Sequence, residues 1–269
     1  MDRRLLLVHA HPDDESIFTG ATMARYAAEG AGVTLVTCTA GEEGEVLTPE
    51  IGHLAADQDD ALGPHRVAEL EDAMACLGIT DHRFLGGVFH FRDSGMQWGP
   101  DRQAMPRDET AEGTFWRADL TAAADLMAEI IRDVRPQVLI TYDEIGGYGH
   151  PDHVQAHRVA MYGAMLAGVE SYRRELGASW DIAKIYWIAA TQGPMRTVPE
   201  SDLAAVIDGT EFGAAKVAAL RAHSSQIDGD GPFITHVWLT EAYRLAKGVA
   251  APPPGATLED DLFAGLPYG

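Results

Sequence analysis

Leu5-Leu6-Leu7-Val8-His9-Ala10-His11-Pro12-Asp13-Asp14-Glu15 is the stretch whose reading decides the fold. Its apolar run is too short for a helix and has the character of a buried parallel strand. It gives way at once to a histidine and a run of carboxylates. A second passage is built alike: Val138-Leu139-Ile140-Thr141-Tyr142 is followed shortly by His150-Pro151-Asp152-His153. Each places a histidine and a carboxylate where a strand yields to a helix, and in open α/β sheets that edge is where ligands bind. Two such clusters in one chain point to a divalent metal site assembled from both.

Working outward, residues 33–37 predict a further buried strand, 82–85 a weaker one and 183–190 another. Helical spacing occupies 16–29, 64–77, 118–134 and 212–223, while 233–247 is apolar but ambiguous. In the third of these helices Leu120, Ala124, Met127 and Ile131 trace one apolar face, and Gly30, Gly32 and Gly78 fall where helices should stop. The alternation predicts an α/β fold: a Rossmann-like, mainly parallel sheet flanked by helices, with a smaller α+β C-terminal part. Two long segments, 41–63 and 86–116, follow the second and third strands and are expected to be active-site loops. The expected division is a core of residues 1–170 carrying the metal site, a C-terminal part of 171–248 packed on it, and a Pro-rich tail of 249–269. That tail contains Pro252-Pro253-Pro254 and is expected as an extended surface arm.

Composition narrows the function. The chain has 269 residues, 46% of them hydrophobic, as a well-packed globule requires. No apolar stretch approaches bilayer length, so no membrane partner is expected. Met1-Asp2-Arg3-Arg4 is followed by no small-residue cleavage site, which makes a cytoplasmic location the expectation. Lys and Arg number 20 against 41 Asp and Glu, a formal charge of -21 that repels phosphate backbones and argues against nucleic acid. We read that charge as a solubility feature or a salt-adapted surface. The 2 cysteines, Cys38 and Cys76, are expected as buried free thiols of a reducing compartment. A homo-oligomer is compatible with all of this.

Pro12 restricts His11 towards extended backbone and can open the next turn, so His11 and Asp14 can share one space while Asp13 projects differently. One imidazole and one carboxylate make half a shell for zinc. Pro151 suits the first turn of a helix, which puts His150 at the N-cap and Asp152 and His153 in that turn. His157 could share a face with His153, so spacing alone leaves a His153/His157 pair as a competing ligand set. Each cluster taken singly also reads as helix capping, with carboxylates drawn to the N-terminal partial charge. Their joint occurrence at strand ends favours the metal. His9 reads as a packed or supporting group, and His53, His65, His82, His90 and His223 as structural or exposed.

Ala10 to Glu15 paired with His150-Pro151-Asp152-His153 resembles the LmbE-like, zinc-dependent N-acetylglucosamine deacetylase family. The resemblance continues through Val36-Thr37-Cys38-Thr39, Gly41-Glu42-Glu43-Gly44-Glu45-Val46, Arg92-Asp93-Ser94-Gly95-Met96 and the segment from Tyr142 to His153. Within the family it is most similar to the branch that deacetylates N-acetylglucosaminyl-inositol in mycothiol biosynthesis. It implies His11, Asp14 and His153 as ligands of Zn²⁺, with Fe²⁺ able to occupy the same donors, and Asp13 as general base. It further implies Tyr148 and His150 beside the reacting carbonyl, and Asp152 orienting His150 and raising its pKa. Arg66, Glu45, Asp93 and Met96 would line a pocket for a small-molecule aminosugar. Arg66 read by itself is an ordinary surface charge on a helix. Residues 216–226 also look family-like, without an assigned role.

The related mycothiol conjugate amidases typically carry a Lys shortly after the first motif and a Pro within the second. Ser16-Ile17-Phe18-Thr19 has no Lys and Gly149 stands where that Pro would be, which favours the deacetylase. Deacetylases of other N-acetyl aminosugars share the same metal core. A Mg²⁺-dependent phosphoesterase is disfavoured by histidines at the core, since magnesium prefers oxygen ligands. A non-catalytic binding protein is disfavoured by the intact Asp13 and open ligand set.

Overall fold

β1 (Arg4–His9), the strand of the opening motif, lies inside a seven-stranded sheet and is hydrogen-bonded on both edges. The computed structural model describes residues 2–101, 103–190 and 197–267, so position 102 in the second expected loop, positions 191–196 and the last two residues of the tail lie outside the described residues. From β1 the chain passes through α1 (Asp14–Phe18) and α2 (Gly20–Ala28) to β2 (Gly32–Thr37), then α3 (Leu62–Leu77) and β3 (Asp81–Phe84). A two-stranded ribbon of β4 (Gln97–Trp98) and β5 (Ala104–Met105) interrupts the second long loop. There follow α4 (Leu120–Val134), β6 (Val138–Thr141), α5 (Gly146–Gly149) and α6 (Pro151–Ala167). The remainder comprises β7 (Lys184–Ala189), β8 (Ala205–Asp208), α7 (Gly213–Ala222), α8 (Pro232–Thr235) and β9 (Thr240–Lys247).

The sheet order is β3-β2-β1-β6-β7-β9-β8. β3, β2, β1, β6 and β7 run parallel, and β9 pairs antiparallel with both β7 and β8. The chain leaves β1 towards β2 on one side and reaches β6 on the other, so the order reverses between β1 and β6. Right-handed crossovers then put the early and later helices on opposite faces. α2 and α3 pack with α7, while α4 packs with α6. Leu5, Leu6, Leu7, Val8, Val138, Leu139 and Ile140 are fully buried, as a strand covered on both faces must be. The two motifs thus emerge side by side at the reversal, where an open sheet leaves a crevice. Among the described residues, no helix is long and apolar enough to cross a membrane.

Three local expectations are corrected. The single helix over 16–29 is divided at Thr19, which has non-helical backbone, φ −137° and ψ 8°. The cause is remote: the Glu241 carboxylate accepts the Ala21 and Thr22 N–H groups and so caps a fresh helix there. Cys38 is buried, but Cys76 is exposed because α3 buries Arg66, Leu70, Ala73, Met74 and Leu77 and turns Cys76 outward. The tail does not stay on the surface. Glu259 bridges to Ala205 of β8, and Leu262 and Phe263 are fully buried.

Glu259 explains that return. Its carboxylate accepts from Lys184 Nζ (2.5 Å), Tyr186 Oη (2.5 Å) and the Ala251 N–H (2.7 Å), and Lys184 is itself buried. Asp261 then pairs with Arg3 at 2.7 Å, and Phe263 meets the ring of Tyr26. Removing one partner of a buried ion pair strands the other's charge. Glu259→Ala is therefore expected to cost about 3–5 kcal/mol, read as a lowered urea midpoint.

Candidate active site

β1 ends at His9, and Ala10 and His11 carry the backbone out over the sheet edge. The Tyr142 hydroxyl, at the end of β6, accepts the Ala10 N–H (2.9 Å) and donates to Asp14 Oδ2 (2.7 Å). That oxygen also accepts the His11 N–H (2.9 Å). His9 is buried with Nε2 on Thr19 Oγ1 (2.9 Å), so it braces the turn and does not enter the site.

His150 is the N-cap of α6, with Pro151 at the first helical position, and this places His153 in the first turn facing Asp14. His153 Nδ1 lies 3.2 Å from the Gly146 carbonyl, which can only accept, so Nδ1 carries the proton and Nε2 presents its lone pair. Any side chain at Gly146 would collide with His153, a Cβ lying 2.7 Å from its Cβ. His153 Nε2 is buried without a hydrogen-bond partner among the described residues and faces Asp14 Oδ1 at 3.3 Å. On the other side of the same carboxylate, His11 Nδ1 lies 3.3 Å from Oδ2. His11 Nε2 points the opposite way, to Asp152 Oδ2 (3.3 Å) and Asp93 Oδ1 (3.5 Å).

These contacts describe a cation site. A lone pair and a carboxylate oxygen facing each other in a buried place call for a positive charge between them. Carboxylates behind the far nitrogen of a ligating imidazole fix its tautomer, as around histidine-bound metals. The nitrogens of His11, His150 and His153 come within 4.8 Å of one another, as do ligand atoms of His11, Asp93 and Asp152, so either group could hold a divalent ion, and the Asp14 carboxylate lies between His11 and His153. The excess of negative charge acts on the ring: against burial, Asp93 and its fellow carboxylates hold His11 well above its ordinary value. Against burial too, His153 and His11 hold Asp14 well below the usual carboxylate range. His157 is turned elsewhere, with Nδ1 on the Tyr142 carbonyl (2.9 Å) and its ring against Trp187.

The profile of the GlcNAc-PI de-N-acetylase family, PIG-L, matches residues 6–163, a span that holds both clusters. The chain belongs to this family. It is 55% identical to a 1D-myo-inositol 2-acetamido-2-deoxy-alpha-D-glucopyranoside deacetylase from Nocardioides sp., over 98% of this chain and 99% of the relative. A relative of the same name from Streptomyces avermitilis is 51% identical over 98% of each chain. Among solved structures, the N,N'-diacetylchitobiose deacetylase of Pyrococcus horikoshii superposes with a TM-score of 0.66 at 19% identity, covering 91% of this chain and 84% of that one. GalB, the 4-carboxy-2-hydroxymuconate hydratase of Pseudomonas putida KT2440, gives 0.65 at 18%, covering 93% and 98%. A hydratase among these neighbours marks such likeness as one of fold.

Within the family's fold, the remaining expected residues other than Asp152 border a single cavity of about 970 Å³. Asp13 lines it, and burial pushes its carboxyl up to about 6, Arg66 opposing the rise and Asp14 adding to it. Arg66 is buried, contrary to a surface charge. It donates to Asp13 Oδ2 (3.0 Å), to the Gly41 carbonyl (2.7 Å) and to the Pro12 carbonyl. A Cβ at Gly41, φ 69°, would lie 2.0 Å from the guanidinium, so only glycine admits it. Tyr148, His150, Glu45, Asp93 and Met96 also line the cavity. Asp93 is partly committed to the protein, accepting the Gly95 (2.8 Å) and Glu43 (3.2 Å) N–H groups.

Asp152 departs from expectation. Its carboxylate accepts from the Ser94 N–H (2.8 Å) and Ser94 Oγ (2.5 Å) and faces His11. Its contact with His150 runs the other way, the Asp152 N–H donating to His150 Nδ1 (3.2 Å). Burial, with His11 and His153 beside it, holds His150 well below its ordinary value, so the expected rise is not found. Sequence reasoning passed over Ser94, although it sits inside the quoted Arg92 to Met96 motif. It also left unassigned Ile188, Phe233 and Trp238, later residues of the chain that line the same cavity.

Calorimetric titration of chelator-stripped protein with Zn²⁺ tests the ligand set. Asp152→Asn, which weakens the support behind His11, is expected to reduce affinity about 10–100-fold. His153→Ala, which removes a donor outright, is expected to reduce it further.

Proposed function

We propose that this chain is a zinc-dependent amidohydrolase that removes the acetyl group from N-acetylglucosaminyl-inositol, giving glucosaminyl-inositol and acetate, a step of mycothiol biosynthesis in the cytoplasm. The observation that carries the reading is the buried His11/Asp14/His153 constellation with Asp13 beside it, in a chain 55% identical along its length to a relative of that named activity. Two imidazoles and a carboxylate suit Zn²⁺, and Fe²⁺ fits the same donors.

A bound divalent ion would supply Lewis acidity, acidifying water and polarising the amide carbonyl. The protein's own groups do the rest. Asp13, held by Arg66 at 3.0 Å, takes the proton of the attacking water and returns it to the amine nitrogen as the C–N bond breaks. Burial, reinforced by Asp14, raises the Tyr148 hydroxyl, which stays a phenol and donates to the developing oxyanion. His150 accepts at Nδ1, so in its neutral form the proton sits on Nε2 and gives a second donor. Arg66, Glu45, Asp93 and Met96 border the space for the sugar. Residues 1–170 carry the chemistry in this reading, and residues 171–248 close the cavity through Ile188, Phe233 and Trp238.

The test is a metal-defined assay comparing N-acetylglucosaminyl-inositol with a bimane-labelled mycothiol conjugate and other N-acetyl aminosugars. Release of acetate from the first in clear preference is expected. Asp13→Asn should lower kcat about 10²–10⁴-fold with zinc still bound. Preference for the conjugate would make the chain an amidase, and an Asp13→Asn variant at full activity would sink the mechanism.

A further inference from the structure

Asp13 has φ 103° and ψ −34°. The other described non-glycine residues with positive φ are Asp60, Phe89, Arg135 and Arg173, all between 41° and 61°. Those values fall near the small left-handed basin that L-residues can enter, whereas Asp13 lies well outside it. The strain falls on the residue read as the base, and something must hold it there.

The Asp13 N–H donates to Glu15 Oε2 (2.9 Å). Glu15 is fully buried, and its other oxygen accepts from Ser16 Oγ (2.5 Å) and lies 2.7 Å from His223 Nε2. His223 is also fully buried, and among the described residues its Nδ1 has no hydrogen-bond partner, so the polar tie of the ring there is to Glu15. Its backbone is pinned: the His223 N–H donates to the Leu220 carbonyl, and its own carbonyl accepts from Gln226 and Ile227. The next turn is fastened to α3, where Glu69 accepts from the Ser225 N–H (2.7 Å) and hydroxyl (2.6 Å). A rigid chain of contacts therefore runs from α7 through His223 and Glu15 to the amide of Asp13.

We infer that His223 is a positioning residue for Asp13, acting through Glu15. The pair holds the backbone of Asp13 in a conformation that turns its carboxylate to Arg66 while Asp14 turns to His11 and His153. Without it, the Asp13 amide would lose its acceptor and the turn could relax, moving the base off the reacting water. This gives a role to the 216–226 segment, and it rests on the reading of Asp13 as the base of a deacetylase.

The test uses the two amides that mimic the two imidazole nitrogens. Gln at 223 can place an N–H where Nε2 stood and reach Glu15; Asn is too short. His223→Asn is expected to lose about 10²-fold in kcat, the scale of a small misplacement of a catalytic group, with KM and zinc content near wild type. His223→Gln is expected to recover most of that loss. In crystals of the metal-free Asn variant, Asp13 should leave positive φ. Equal activity of the Asn and Gln variants, high or low, overturns the inference, as does an unchanged Asp13 φ in the Asn variant. If the Asn variant fails to fold, Glu15→Leu replaces it with the same expected fall in kcat and the same change in φ, and wild-type behaviour there overturns it. Should the wild-type protein prove inactive on the acetylated sugar, the proposed function fails, while the Asp13 φ still decides the positioning role.

Discussion

The hydroxyl of Tyr142 joins two strands that the sequence separates by more than a hundred residues. By accepting from Ala10 and donating to Asp14 it fastens the end of β6 to the turn after β1. Its ring stacks on His153 at 4.2 Å, so one side chain sets the spacing between the carboxylate and the imidazole across the crevice. Everything else in the site is built outward from that spacing: Gly146 behind His153, Ser94 and Asp152 behind His11, Arg66 beside Asp13.

The site is crowded with buried acid. Asp14, Glu15, Asp93 and Asp152 are all buried around His11, His153 and His223. Buried carboxylates are tolerated when paired or bound to a cation. The arrangement assigns each a different answer. Asp14 faces two imidazoles, Glu15 faces His223, Asp93 accepts from the Gly95 and Glu43 N–H groups, and Asp152 accepts from Ser94, while neighbouring Asp13 meets Arg66 and the open cavity. In the proposed mechanism that difference in company separates a ligand from a base between adjacent, chemically identical side chains.

Much of this was legible in local sequence. β1 and β6 were readable because short, branched apolar runs have few other uses, and the clusters after them carry their residues within one turn. What was not legible depended on distant partners. Which ring Asp152 serves is decided by Ser94, fifty-eight positions earlier. The break at Thr19 is imposed by Glu241, and the burial of Arg66 by a glycine in another loop. Residues 233–247 stayed ambiguous because a strand that joins β7 and β8 antiparallel, next to a parallel block, need not alternate cleanly.

The tail clasp has a consequence for how the molecule comes into being. Lys184 belongs to an interior strand, yet the carboxylate that neutralises it arrives seventy-five residues later. During synthesis the parallel strands β3, β2, β1 and β6 can pair and bury their apolar faces early, since chains fold as they emerge. β7 cannot settle beside β6 without burying an unmatched ammonium until Glu259 has left the ribosome. The half of the sheet that carries the first motif can thus assemble before the half that contributes Ile188 to the cavity wall.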